Sequence, residues 1–132
     1  MTTTRAKGTF DVKLAPEAVS DNGQKAGLGR MSIEKQFHGD LEGASTGEML
    51  ATSVDSGSGG YVAIERVTAT LAGRTGTFML QHNGVMTRGT PGLTVSVLPD
   101  SGTGGLAGIS GTMNIIITGG KHLYEFDYKL PQ

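Results

Sequence analysis

The chain has 132 residues, 22 of them glycine and none cysteine or tryptophan, with a formal net charge of −1. That length suits one domain, residues 1–132, with a real core, while the balanced charge offers no basic stripe for nucleic acid and the missing cysteines exclude disulfides and thiolate metal sites. No apolar run approaches the ~18 residues a membrane helix needs, and Met1–Gly8 lacks an apolar signal core, so the expectation is a soluble, cytoplasmic protein with neither nucleic-acid nor membrane partners.

Alternation with period two dominates, and no long helical pattern appears. The first strand, near Arg5–Leu14, puts Phe10, Val12 and Leu14 on one face and Asp11 and Lys13 on the other. Pro16–Ala26 is a polar connection in which Pro16-Glu17-Ala18-Val19 suits one helical turn. The second strand, Leu28–His38, and the third, Leu41–Val54, flank a turn at His38-Gly39-Asp40. A three-residue turn pairs Phe37 with Leu41, Lys35 with Gly43 and Met31 with Gly47. It sets Arg30 beside Glu48 and Ser32 beside Thr46 on the wet face. Met31, Ile33, Lys35 and Phe37 then point inward.

Asp55–Gly60 is a flexible Gly/Ser loop. The fourth strand, Tyr61–Leu71, and the fifth, Thr77–Met86, surround Ala72-Gly73-Arg74-Thr75, a tight hairpin turn. Centring that turn on Gly73-Arg74 pairs Val67 with Leu80, Ala69 with Phe78 and Glu65 with His82 on an otherwise apolar face. Arg66 with Gln81, Thr68 with Met79 and Thr70 with Thr77 make the other, mostly polar face. A one-residue slip would mix the two sets. A carboxylate and an imidazole on a core face are costly unless paired.

The sixth strand, Leu93–Leu98, turns Leu93, Val95 and Val97 inward. Pro99–Gly111 is rich in glycine and serine, with Leu106, Ala107 and Ile109 as its apolar residues. The seventh strand, Thr112–Thr118, and the eighth, Lys121–Leu130, are joined by Gly119-Gly120. Their register pairs Ile117 with His122, Ile115 with Tyr124 and Met113 with Phe126, and Tyr128 continues that face. About eight meandering antiparallel strands with short turns point to an all-β closed barrel, which leaves no exposed sheet edge. An open two-sheet sandwich is the competing architecture.

Four segments occur in order: Lys35-Gln36-Phe37-His38-Gly39-Asp40-Leu41-Glu42-Gly43, Gly60-Tyr61-Val62-Ala63-Ile64-Glu65, Gly73-Arg74-Thr75-Gly76-Thr77-Phe78-Met79-Leu80-Gln81-His82-Asn83-Gly84 and Ser101-Gly102-Thr103-Gly104-Gly105-Leu106-Ala107-Gly108. The set resembles a bacterial family of small proteins of unknown function, grouped with the allene oxide cyclase-like barrels. The resemblance covers nearly the whole chain. It implies a single antiparallel eight-stranded barrel of meander topology, related in shape to calycins. It implies no activity, because a shared fold does not transfer chemistry.

The inward polar set is Lys35, Tyr61, Glu65, His82, His122, Tyr124 and Tyr128, among apolar residues that include Phe37, Phe78, Leu80 and Met113. An apolar pocket with a few convergent polar groups is the usual form of a small-molecule site. The first expectation is therefore a barrel binding a small apolar or aromatic molecule without cofactor or metal, its ligand set Lys35, Phe37, Tyr61, Phe78, Leu80, Met113, His122, Tyr124 and Tyr128. The second is a cofactor-independent isomerase or cyclase, with Glu65 and His82 as its acid/base unit and Lys35 or a tyrosine holding an oxyanion. The third is a structural or oligomeric module with a filled core; a homodimer is the commonest oligomer. Three weaker patterns carry little. His82, His122 and Glu65 make a two-histidine, one-carboxylate set without metal-ligand spacing. Gly43-Ala44-Ser45-Thr46-Gly47 lies inside a strand and not in a nucleophile elbow. Gly102-Thr103-Gly104-Gly105-Leu106-Ala107 precedes a strand and not a dinucleotide-binding helix, and is better taken as a tight loop, at a barrel mouth or as a plain turn cluster.

Overall fold

The structure, a computed structural model, describes residues 2–131. The alternating segments form β1 (Thr4–Glu17), β2 (Gly29–Gly39), β3 (Leu41–Ser53), β4 (Gly59–Leu71), β5 (Arg74–Thr87), β6 (Thr90–Val97), β7 (Ser110–Thr118) and β8 (Lys121–Lys129). Each strand pairs antiparallel with the next, and β8 returns to β1 to close the barrel. The closing seam runs from Thr4 opposite Tyr128 to Phe10 opposite His122. Arg5 braces it from outside, holding both carboxylate oxygens of Asp127 at 2.7 and 3.0 Å.

The connections of a meander alternate between the two ends. One end carries the turn at Asp40, the Ala72-Gly73 turn and the segment 98–109. That end is sealed. Phe37, Leu41, Leu71, Phe78 and Phe126 are fully buried there, with Phe78 stacked on Phe126 at 5.6 Å and Phe37 meeting Tyr124 edge-on at 5.7 Å. The Tyr124 hydroxyl accepts from the Leu41 N–H at 2.9 Å and donates to the His38 carbonyl at 2.9 Å, tying the core to the turn. The segment 98–109 folds under the barrel and buries Leu106 and Ile109. The Thr103 N–H bonds the Thr77 carbonyl at 2.8 Å, and the Thr103 hydroxyl accepts from the Thr77 N–H at 3.2 Å. The glycine-rich loop is therefore the plug of the closed end and not part of a mouth.

Two registers differ from those expected, each by two residues. In β4–β5 the turn is Ala72-Gly73, with φ of 53° and 76°, the doubly left-handed pair that a two-residue hairpin requires. Leu71 then faces Arg74, Val67 faces Phe78, Glu65 faces Leu80 and His82 faces Ala63; outside, Arg66 faces Met79 and Thr68 faces Thr77. In β2–β3, Phe37 faces Gly43, Lys35 faces Ser45 and Met31 faces Met49, while Ser32 lies opposite Glu48. A two-residue shift keeps every side chain on its own face, so alternation cannot detect it. The Arg30–Glu48 contact survives as a diagonal ion pair at 2.6 Å. The β7–β8 register is as expected.

Pro16 and Glu17 are extended residues of β1, opposite Met31 and Arg30, and make no helical turn. The short helix, α1 (Asp21–Lys25), starts later, where the Ser20 hydroxyl accepts from the Gly23 N–H at 3.2 Å. Proline is accommodated at a strand end, and the serine supplies the cap that starts a helix. One junction is thin: β6 and β7 meet at a single pair, Ser96 with Thr112. Among the described residues no helix is long and apolar enough to cross a membrane.

Candidate functional site

Inward positions of four consecutive strands converge halfway along the barrel: Lys35 from β2, Ser45 from β3, Glu65 from β4 and His82 from β5. Lys35 lies directly opposite Ser45. Gly47 lies directly opposite Glu65, and a Cβ at Gly47 would collide with the Ile64 carbonyl and the Glu65 backbone. The missing side chain lets β3 close on β4 and leaves Ser45 as its polar contribution at this level.

Glu65 is the hub and is 0 % exposed. Lys35 Nζ donates to its Oε2 at 2.8 Å and Ser45 Oγ to its Oε1 at 2.7 Å. His82 Nε2 meets Oε2 at 2.5 Å. Burial pushes the Glu65 carboxyl up, but the hydrogen bond from His82, the Lys35 charge and the bonds from Lys35 and Ser45 outweigh it and hold it at about 2. The Lys35 ammonium lies 4.9 Å from the Phe10 ring centroid and 5.8 Å from that of Phe37, contacts that stabilise a buried cation. No buried side-chain nitrogen or oxygen among the described residues lacks a partner.

The chain of contacts continues outward. His82 Nδ1 lies 3.3 Å from the Tyr61 hydroxyl. With Lys35 supplying the countercharge of Glu65, a neutral imidazole satisfies the geometry: Nε2–H donates to Glu65 and Nδ1 accepts from Tyr61. Burial, and secondarily the Glu65 charge, push the Tyr61 phenol up, so it keeps its proton. Tyr61 stands opposite Gly84, where a Cβ would collide with its ring; the glycine makes the seat for the tyrosine.

Above this floor the barrel opens at the end bearing the β1–β2, β3–β4, β5–β6 and β7–β8 connections. The mouth is a cavity of about 510 Å³ whose walls include Phe10, Val12, Ile33, Met49 and Ile115. Lys35, Tyr61, His82 and His122 are its titratable lining residues. Leu14, Met86, Leu93 and Ile117 line its outer part and are 40–69 % exposed, an apolar rim. A larger concavity of about 960 Å³ lies outside the barrel, between α1 and the outer faces of β3 and β4. Its charged lining residues, Arg30 and Glu48, are paired with each other, and it lies away from the polar cluster.

The expected site residues therefore divide. Lys35, Tyr61, His82 and His122 line the cavity, and Glu65 sits behind them with no exposed surface. Phe37, Phe78, Leu80, Met113, Tyr124 and Tyr128 belong to the buried core cluster and do not line the cavity. Among the described residues no group of three His, Cys, Asp or Glu side chains is placed to hold a metal ion. Ser45 was hidden by the shifted β2–β3 register. Its parity alone marked it as an inward polar residue between two inward glycines, inside the rejected Gly43–Gly47 motif.

The family model "Protein of unknown function (DUF3224)" matches residues 6–128. The chain belongs to the DUF3224 family. A DUF3224 protein of unknown function from Shewanella oneidensis MR-1, known from its crystal structure, is 49% identical to it. The two superpose with a TM-score of 0.90 over 99% of each chain. A search of curated proteins finds no match.

Proposed function

We propose that this DUF3224 barrel binds a small, largely apolar or aromatic molecule in its open mouth, with one polar end resting on Lys35, Tyr61 and His82. The observation that carries this reading is the cavity of about 510 Å³, lined mainly by apolar residues with Lys35, Tyr61, His82 and His122 as its titratable groups. Its size falls in the range of small-molecule sites. The exposed rim of Leu14, Met86, Leu93 and Ile117 suits an oily ligand entering from that end. The open half also favours a ligand-binding role over a purely structural module. The probe N-phenyl-1-naphthylamine should brighten on binding with a micromolar Kd. Ala51→Trp, which fills the mouth from β3, should weaken it by about tenfold, or about 1.4 kcal/mol, without lowering the urea midpoint. Absence of probe binding, or equal binding by the variant, would end the proposal.

A second reading, a cofactor-independent isomerase or cyclase, is favoured by one observation. The Tyr61, His82 and Glu65 side chains form a single hydrogen-bonded line from the cavity wall to a buried carboxylate.

A further inference from the structure

We propose that this cavity is a proton-transfer site for enolisable ketones with an apolar or aromatic body, and that Tyr61, not Glu65 or His82, is the group that exchanges the proton. The inference rests on the binding reading above and names its substrate class. Glu65 is fully buried and cannot touch a ligand. Both nitrogens of His82 are engaged, Nε2 by Glu65 and Nδ1 by Tyr61. The free end of the line is the Tyr61 hydroxyl, on a half-buried side chain at the cavity wall. Lys35, which also lines the cavity, gives one of its three N–H donors to Glu65, leaving two for a ligand oxygen. The floor thus combines a cationic donor with a hydroxyl that can pass its own proton inward.

The step balances without oxidant or reductant. The Tyr61 oxygen takes a proton from the carbon next to the ketone while the Tyr61 proton moves to His82 Nδ1. The C–H electron pair becomes the enolate double bond, and the carbonyl π pair moves onto oxygen, where Lys35 holds it. The imidazolium that forms is stabilised by the Glu65 carboxylate. Return of the proton to the same carbon gives exchange, and return to a conjugated carbon gives an isomer. Tyr61 and Lys35 are the catalytic residues of this scheme; Glu65 and Ser45 are positioning residues.

The test uses 2-tetralone, an aromatic ketone, with the full chain in D₂O. Its binding is followed by displacement of N-phenyl-1-naphthylamine and its α-deuteration by proton NMR. The parent should speed exchange by about 100-fold or more over buffer, the usual scale of positioned acid–base groups. Tyr61→Phe, which keeps the ring over Gly84, should lose nearly all of that gain at saturating 2-tetralone, where any loss of affinity no longer limits the rate. If this variant does not fold, Tyr61→3-fluorotyrosine should shift the pH profile of exchange downward. Probe binding with no displacement by 2-tetralone overturns the substrate class. Displacement without accelerated exchange, exchange that survives Tyr61→Phe, or an unmoved profile for the fluorinated variant overturns the proton role. Failure of the probe itself to bind strikes the underlying cavity reading.

Discussion

Glu65 is held by three donors from three other strands, and this makes it both the anchor of the site and a point of weakness. A carboxylate without water is tolerated because Lys35 cancels its charge and Ser45 and His82 occupy its remaining lone pairs. Removing one ion of such a pair strands the other. Glu65→Gln should therefore destabilise by about 3 kcal/mol in urea titration, because the Lys35 ammonium loses its counterion in a side chain only 5% exposed. Lys35→Met leaves Glu65 charged and should cost a similar amount. The double variant removes both charges at once and should lose clearly less than the sum, with a coupling of about 2 kcal/mol. Additive losses would show that the two groups do not form a buried pair.

At the scale of elements, hairpin turns decide what alternation leaves open. Ala72 is exposed and sits at φ 53°, a conformation strained for alanine and natural for asparagine. Ala72→Asn creates the Asn-Gly pair typical of this turn and should raise stability by about 0.5–1 kcal/mol; no change in the urea midpoint would argue against the Ala72-Gly73 turn. This turn also shows how far the sequence could be read. Period two sorted every strand into an inner and an outer face, and so identified Lys35, Tyr61, Glu65, His82 and His122 as inward. Gly119-Gly120 fixed one register unambiguously. The turns at residues 38–40 and 72–75 each admitted two centrings with identical faces, so the sequence supported a direct Glu65–His82 cross-strand pair where the structure has a diagonal contact. Ser45 and the engagement of Lys35 depend on register across three strands, which no local pattern encodes. Nor could alternation show which end of the barrel is plugged, and this is what separates Phe78 and Tyr124 from the cavity. The β6–β7 junction yields a further expectation. With one bridging pair, most β6 amides directed toward β7 lack a ladder partner, so in hydrogen exchange the Thr90–Val95 segment should lose protection well before β3 and β4. Equal protection would mean that the two strands zip together in solution.

For the molecule as a whole, the polar cluster predicts how stability follows pH. The Glu65 carboxyl is depressed from 4.5 to about 2 on folding. A depressed acid favours the folded state once the unfolded chain is ionised, so its contribution is complete above about pH 4.5 and fades as pH falls toward 2. A shift of this size corresponds to about 3 kcal/mol at most. Asp127 and Glu48 are also depressed, the first mainly by its hydrogen bond from Arg5 and the second by that from Arg30. They act in the same direction but lie at the exposed surface, where ion pairs contribute little. The parent should therefore lose stability steeply between pH 4.5 and 2, whereas Glu65→Gln, weaker at neutral pH, should lose much less over the same window. The gap between the two urea titration curves should narrow as the acid side is approached. Parallel curves would mean that Glu65 does not ionise differently in the folded and unfolded chains. The charged hub on which Tyr61, His82 and Lys35 depend would then be absent, and the proton line from the cavity wall would have no buried anion at its end.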